Sequence, residues 1–300
     1  MKPIPILMPT APRYTALAQW TQGQISKFWP EHPRIYCCGA ERVANALPLR
    51  DDPKDWMRVV ASACADLLAD GIEYTYVILD DHAPIARCHE RHLRETLPAM
   101  AREMDVTCLM TLGYGPVLPR KGTMVPWNGF HPERLPISEP WKLPLHPALW
   151  NLRKFSDILE HLIRHLPEAQ HTPWAFERIG SDPEKGGIST ALLSACWRIG
   201  AWEMSTPEAR GLHDIRDRLL RLMFRASTIK ARALGGAEAR AALQSALSGA
   251  WHPRIGPYPV FWSGVMKKGR INADYSFYAK LKGRPELTAG LQEAFDACAS

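Results

Sequence analysis

The chain has little that would carry it out of an aqueous compartment. No stretch approaches the ~20 consecutive apolar residues that span a bilayer. The opening Met1-Lys-Pro-Ile-Pro-Ile-Leu-Met-Pro9 is too short and too broken by proline for the apolar core of a signal peptide. A cytoplasmic protein is therefore expected. Redox and zinc signatures are equally scarce. The seven cysteines (Cys37, Cys38, Cys64, Cys88, Cys108, Cys196 and Cys298) form an odd set with no CxxC pair, and several sit inside apolar segments. They read as reduced, buried thiols and not as a disulfide framework. His89 and His92, and His161 and His165, have helical spacing but no HExxH context or neighbouring cysteine, and read as surface histidines. There is no internal repeat and no low-complexity tract. No zinc-finger or aromatic–basic pattern accompanies the charge, so a nucleic-acid partner is not expected.

What is present is an ordinary globular composition, 46% hydrophobic and 23% charged, which excludes intrinsic disorder for the chain as a whole. The net charge of +6 favours an anionic partner such as a nucleotide or an acidic membrane surface. Apolar runs at 4–8, 34–38, 74–79 and 106–111 alternate with amphipathic patterns at 14–28, 52–70 and 85–103. Strands alternating with helices predict a mainly parallel sheet covered on both faces. Residues 113–147 are rich in proline, glycine and tryptophan and read as a long irregular segment. A strong helix pattern follows at 149–166, another element starts near Thr172, and 188–248 read as two or three helices rich in Ala, Leu and Arg. The tail regains strand character at Tyr258-Pro-Val-Phe-Trp262 and closes on a helix near 286–297. The domain reading is a core over 1–187, a helical lobe over 188–250 and a segment over 251–300 that returns to the core.

The most informative run is Tyr74-Thr-Tyr-Val-Ile-Leu-Asp-Asp-His82, an apolar strand ending in two carboxylates and an imidazole. Ligands of open α/β sheets sit at the carboxyl ends of strands. Magnesium or manganese takes one or two carboxylates together with phosphate oxygens, and manganese also accepts imidazole. The plain alternative is that Asp80 or Asp81 caps a following helix.

Three segments together resemble bacterial glycosyltransferase-like proteins of the GT-A fold. They are Asp52-Pro-Lys-Asp-Trp56 leading into Tyr76-Val-Ile-Leu-Asp-Asp81, then Lys142-Leu-Pro-Leu-His-Pro-Ala-Leu-Trp150, then Pro173-Trp-Ala-Phe-Glu177. The resemblance covers about residues 1–180, with a weaker echo in Tyr258 to Tyr278. It implies a GT-A-like, Rossmann-like mainly parallel α/β sheet flanked by helices, with an added helical lobe. It also implies a hexosyltransferase-like enzyme that moves a single sugar from a nucleotide-sugar donor, with inversion, to a glycan or lipid-linked acceptor. The chain departs from that pattern at His82, where the D-x-D signature has an acid, and at His146, where a polar amide is expected. The QxxRW element of processive synthases is missing.

By the resemblance, Asp81 is the main ligand of a divalent cation (Mn or Mg). Asp80 contacts the ribose or completes the coordination, and His82 ligates or orients. Pro9, Thr10, Arg13, Tyr14, Asp80, Asp81, His146 and Trp150 form the nucleotide-sugar site. Arg13 would pair with phosphate and Tyr14 stack on the base; a proline-rich connector is the alternative. Glu177 stands where an inverting enzyme carries its general base, or is an acid in a first helical turn. Trp127, Trp141, Trp150 and Trp174 are either sugar-stacking faces or core. Arg218, Arg221, Arg225 and Lys230 recur near helical spacing, either as a peripheral contact with the inner face of a membrane or as a solvated helix face. Two other functions stay open: a catalytically silent GT-A-like binding or interaction protein, and a nucleotidyltransferase.

Overall fold

The computed structural model of the chain describes residues 4–114, 122–212 and 253–299. The basic stretch with Arg218, Arg221, Arg225 and Lys230 lies outside them. In β1 (Ile6–Pro9) every residue is buried. It is followed by α1 (Thr15–Phe28), β2 (Ile35–Cys38), α2 (Trp56–Ala69) and β3 (Tyr74–Val77). β1 pairs in parallel with both β2 and β3. Side chains alternate as a strand requires: Ile6, Met8, Tyr74 and Tyr76 enter one core, while Leu7 and Val77 enter the other. α2 begins where Asp55 accepts the Arg58 N–H as an N-cap and stops before Gly71, whose φ of +73° suits glycine.

Next come α3 (Leu97–Glu103), β4 (Cys108–Tyr114), β5 (Thr123–Met124), β6 (Glu133–Arg134) and β7 (Ala148–Asn151). They lead to α4 (Leu152–His165), α5 (Pro173–Gly180), α6 (Pro183–Gly186), α7 (Thr190–Ser194), β8 (Cys196–Gly200) and α8 (Pro207–Gly211). The eight strands lie in the order β2-β1-β3-β7-β4-β8-β6-β5. β7 runs antiparallel between β3 and β4, so β3, β4 and β8 point the same way as β1 and β2. The result is a mainly parallel, Rossmann-like α/β sheet. α1 and α3 cover one face, and α2, α4 and α5 cover the other.

The C-terminal part holds β9 (Pro253–Arg254), β10 (Val260–Phe261), β11 (Met266–Lys267), β12 (Arg270–Ile271), α9 (Ala273–Leu281) and α10 (Leu291–Ala299). Phe261, Tyr275, Tyr278 and Leu291 form a third core with Leu17 and Ile85.

Four expectations are corrected. The helix expected over 85–103 forms only from Glu90 onward and passes through a π-turn at His92–Thr96. Upstream, the backbone serves the C-terminal segment instead: Ile85 N–H donates to Pro259 O at 3.0 Å and His89 N–H to Pro257 O at 2.8 Å. Pro98 offers no N–H to the preceding turn, which suits the wider π-turn before it. The helix expected from 149 begins at Leu152, because residues 148–151 are a central strand whose apolar run cannot be told from a helix by periodicity. The stretch expected as a helical lobe from 188 is described only to 212, and there α7 is followed by a strand of the main sheet. All five β8 residues are buried, Arg198 only because Glu133 pairs with it at 2.5 Å. Residues 113–147, expected to be irregular, contribute the edge strand β5 and its neighbour β6.

Candidate functional site

β1 and β3 end at the same edge of the sheet, and the chain beyond each carries the polar groups. Thr10 follows β1, its N–H held by Cys38 O at 2.9 Å. Its hydroxyl donates to a carboxyl oxygen of Asp80, while Thr21 Oγ1 in α1 donates to Asp80 O at 2.5 Å. Burial, and then the charge of Asp81, push Asp80 up to about 7 against the opposing pull of the Thr10 bond. Asp80 thus braces β1, α1 and the end of β3 together, with one oxygen turned to Thr10.

Asp81 and His82 face each other differently. Asp81 Oδ1 lies 3.5 Å from His82 Nδ1, and both atoms are buried without a hydrogen bond. His82 is hydrogen-bonded to the Trp262 backbone, and burial lowers it to about 4. Its Nδ1 faces the carboxyl oxygen without a hydrogen bond. Two buried polar atoms left without partners are unfavourable unless a proton or a cation lies between them. Burial also pushes Asp81 up to about 7.

The remaining walls come from far along the chain. His146 Nε2 donates to Trp262 O at 2.9 Å, and its ring stacks on Trp262 with centroids 3.7 Å apart, 4.9 Å from the His82 ring. Burial, then the charge of His82, hold His146 well below the usual histidine range. The Arg254 guanidinium lies over the Trp262 ring at 4.5 Å. In α5, whose N-cap is Thr172, Glu177 Oε1 accepts the Leu145 N–H at 2.8 Å. Burial raises Glu177 to about 7, and the charge of Asp81 adds to the rise. Val265 N–H donates to Asp81 O at 2.8 Å and Tyr258 OH to His82 O at 3.0 Å, so the C-terminal segment is laced across the acidic strand end.

Asp80, Asp81, His82, His146, Glu177 and Thr10 therefore gather at one sheet edge. Trp150 does not: it is fully buried in β7, with ring centroids 4.6 Å from Phe155 and 6.0 Å from Phe176. Its expected contact with a nucleotide sugar is corrected, because its face of the sheet lies under α4 and α5. Pro9 is the buried last residue of β1. Arg13 is exposed and lies 4.6 Å over the ring of Tyr14, its neighbour in the turn after the strand. Sequence reasoning missed Trp262, Gly264, Tyr258 and Arg254. The strand-like Tyr258–Trp262 run and the expected return of 251–300 to the core were their signals, and nothing local says that the run folds back onto Asp81.

Among the described residues no three His, Cys, Asp or Glu side chains group as a metal site. The pair formed by Asp81 Oδ1 and His82 Nδ1 still fits a cation that draws its other ligands from phosphate and water, as magnesium and manganese do. No helix among the described residues is long and apolar enough to cross a membrane. No family model matches the chain, and no curated protein matches it. Among solved structures, it is similar to the crystal structure of mannose-1-phosphate geranyltransferase from Thermus thermophilus. The two are 16% identical, the match covers 57% of this chain and 67% of that chain, and the TM-score is 0.29. The functional reading rests on the residues of the site.

Proposed function

We propose that the chain is a glycosyltransferase that moves a single sugar from a nucleotide-sugar donor to a glycan or related acceptor. The observation that carries this reading is the Asp81–His82 pair, two buried polar atoms 3.5 Å apart, each without a hydrogen-bond partner, at the carboxyl end of a parallel strand. The segments that resemble GT-A enzymes include both this strand end and Glu177, and the fold brings them to one edge. The nucleoside diphosphate lies along that edge, beside Thr10 and Asp81.

When bound, a manganese or magnesium ion held by Asp81 Oδ1 and His82 Nδ1 supplies charge that offsets the leaving diphosphate. Asp80 keeps Asp81 in place through the Thr10 brace and makes no contact with the reacting atoms. Glu177, with Oε1 fixed by the Leu145 N–H, takes the proton of the acceptor hydroxyl on Oε2. Its raised proton affinity suits a base working near neutral pH.

A panel of sugar nucleotides tested by thermal shift with and without manganese, followed by product analysis, tests the reading. Stabilisation by one nucleoside diphosphate and its sugar conjugate, with free nucleoside diphosphate as product, supports it. Release of pyrophosphate instead identifies a nucleotidyltransferase and overturns it, and no nucleotide binding under any condition leaves the silent binding protein.

A further inference from the structure

Trp174 is the most exposed large apolar side chain among the described residues, at 70%. Tryptophan usually buries its ring, as Trp29 and Trp150 do here. The backbone of Trp174 is nonetheless firmly set. Thr172 caps α5 by accepting the Ala175 N–H at 3.2 Å, and Pro173 opens the first turn. Trp174 lies three residues before Glu177, so the two share a flank of the helix.

The chain leading into β7 locates that flank. Leu143 N–H donates to Ser181 Oγ at 3.0 Å and Leu145 N–H to Glu177 Oε1 at 2.8 Å, so this segment runs antiparallel to α5. Two residues of extended chain and four of helix each advance about 6 Å, which keeps the two in step. The chain continues through His146 and Pro147 into β7, so the direction of the pairing leads from Glu177 towards the first turn of α5, where Trp174 stands. His146 is itself stacked on Trp262 next to His82. Trp141, the other exposed indole at 43%, falls beyond the opposite end of the helix by the same register. Of the two exposed indoles, Trp174 alone lies on the helix that carries Glu177.

We propose that Trp174 is the stacking platform for a pyranose ring of the acceptor, which makes the acceptor a saccharide. The C–H face of the sugar lies on the indole and directs one hydroxyl towards Glu177 Oε2. A rigid indole gives this contact area at low conformational cost. Stacking on a ring face tolerates changes at the sugar's edge hydroxyls, so selection among sugars comes from groups other than Trp174. The proposal rests on the transferase reading, yet its binding step can be measured without donor.

The experiment titrates the full chain with short gluco-, manno- and chito-oligosaccharides at millimolar concentration, without nucleotide, by saturation-transfer NMR and calorimetry. At least one series should bind saturably. Trp174→Ala should weaken that binding about tenfold or more, Trp174→Phe should keep most of it, and Trp141→Ala should leave it unchanged. Affinity for nucleoside diphosphates should be the same in all of them, and it reports separately on the transferase reading. The proposal is overturned if no saccharide binds wild type, if Trp174→Ala binds as wild type does, or if that variant loses affinity for the nucleotide sugar instead, which would give the indole to the donor.

Discussion

Gly264 lies directly against the Asp81 carboxyl, and a Cβ at that position would collide with Asp81 Oδ2. The backbone there also has φ of +69°, which side chains other than glycine's rarely tolerate. One residue on, Val265 N–H donates to Asp81 O, so the C-terminal segment touches both the backbone and the carboxyl of the acidic strand end. The glycine is what allows this segment to close over the site.

Gly264→Ala should therefore lose about 1–3 kcal/mol of stability in chemical denaturation, from backbone strain together with displacement of Asp81. Nucleotide affinity should fall with it. An alanine variant as stable as wild type, with unchanged nucleotide affinity, would show that the contact has no consequence.

Asp80, Asp81 and Glu177 are each raised to about 7 by burial, and His82 is lowered to about 4. A carboxyl whose folded pKa exceeds its unfolded value adds stability below the unfolded pKa, and that contribution is lost as pH rises through the folded one. For Asp81 the window runs from 3.8 to about 7. His82 acts in the opposite sense, losing stability as pH falls from 6.5 towards about 4. Asp81→Asn removes the first effect, so the variant should gain about 1–3 kcal/mol relative to wild type between pH 4 and pH 8. Urea denaturation of both proteins across that range measures it. A constant difference would mean that Asp81 titrates like an exposed acid.

Much of this architecture was legible from local pattern. The apolar runs around Ile6–Met8 and Tyr74–Val77 and the element start at Thr172 are written in adjacent residues, and Asp80, Asp81 and His82 announce themselves at the end of an apolar run. What stayed hidden depends on distant partners. β8 reads as part of a helical stretch because Arg198 breaks its apolar run, and only Glu133 makes that arginine compatible with a buried strand. Residues 85–89 look helical, but Ile85 and His89 donate to Pro259 and Pro257, Cys88 to Phe28 and Arg87 to Glu208. Trp262 joins the site through His146 and His82, a relationship with no local signature.

The buried Glu133–Arg198 pair carries its own prediction. Both side chains are nearly inaccessible, and Glu133 also accepts the Gly122 N–H. Arg198→Met would leave the carboxylate buried beside an apolar side chain, which costs about 3–5 kcal/mol when one partner of such a pair is removed. The double variant Glu133→Leu with Arg198→Met should recover much of that loss, because matched apolar replacement removes both desolvation costs. Equilibrium denaturation of the two single variants and the double decides the matter, and an additive double variant would show that the two groups do not interact.

The last prediction concerns Glu177, whose carboxyl is held at one oxygen by the Leu145 N–H and lies close enough to Asp81 for the charge of one to raise the proton affinity of the other. A base for an inverting transfer needs a free oxygen within reach of the acceptor hydroxyl and a pKa near the working pH. Glu177→Gln keeps the shape and the carbonyl that accepts from Leu145, so the turn before β7 should stay in place. It cannot take a proton. Nucleotide-sugar binding should survive, while transfer should fall by about 10²–10⁴-fold. Because Glu177 must be ionised to act and Asp81, raised to the same range, must be ionised to hold the cation, wild-type activity should rise steeply with pH up to about 7 and then level off, whereas the residual activity of the Gln variant should keep only the shallower limb of Asp81. The steepness distinguishes a base from a residue that only holds Leu145, since a purely positioning glutamate would lose activity without making the limb shallower. Transfer within a few-fold of wild type would leave Glu177 as the partner of Leu145 alone.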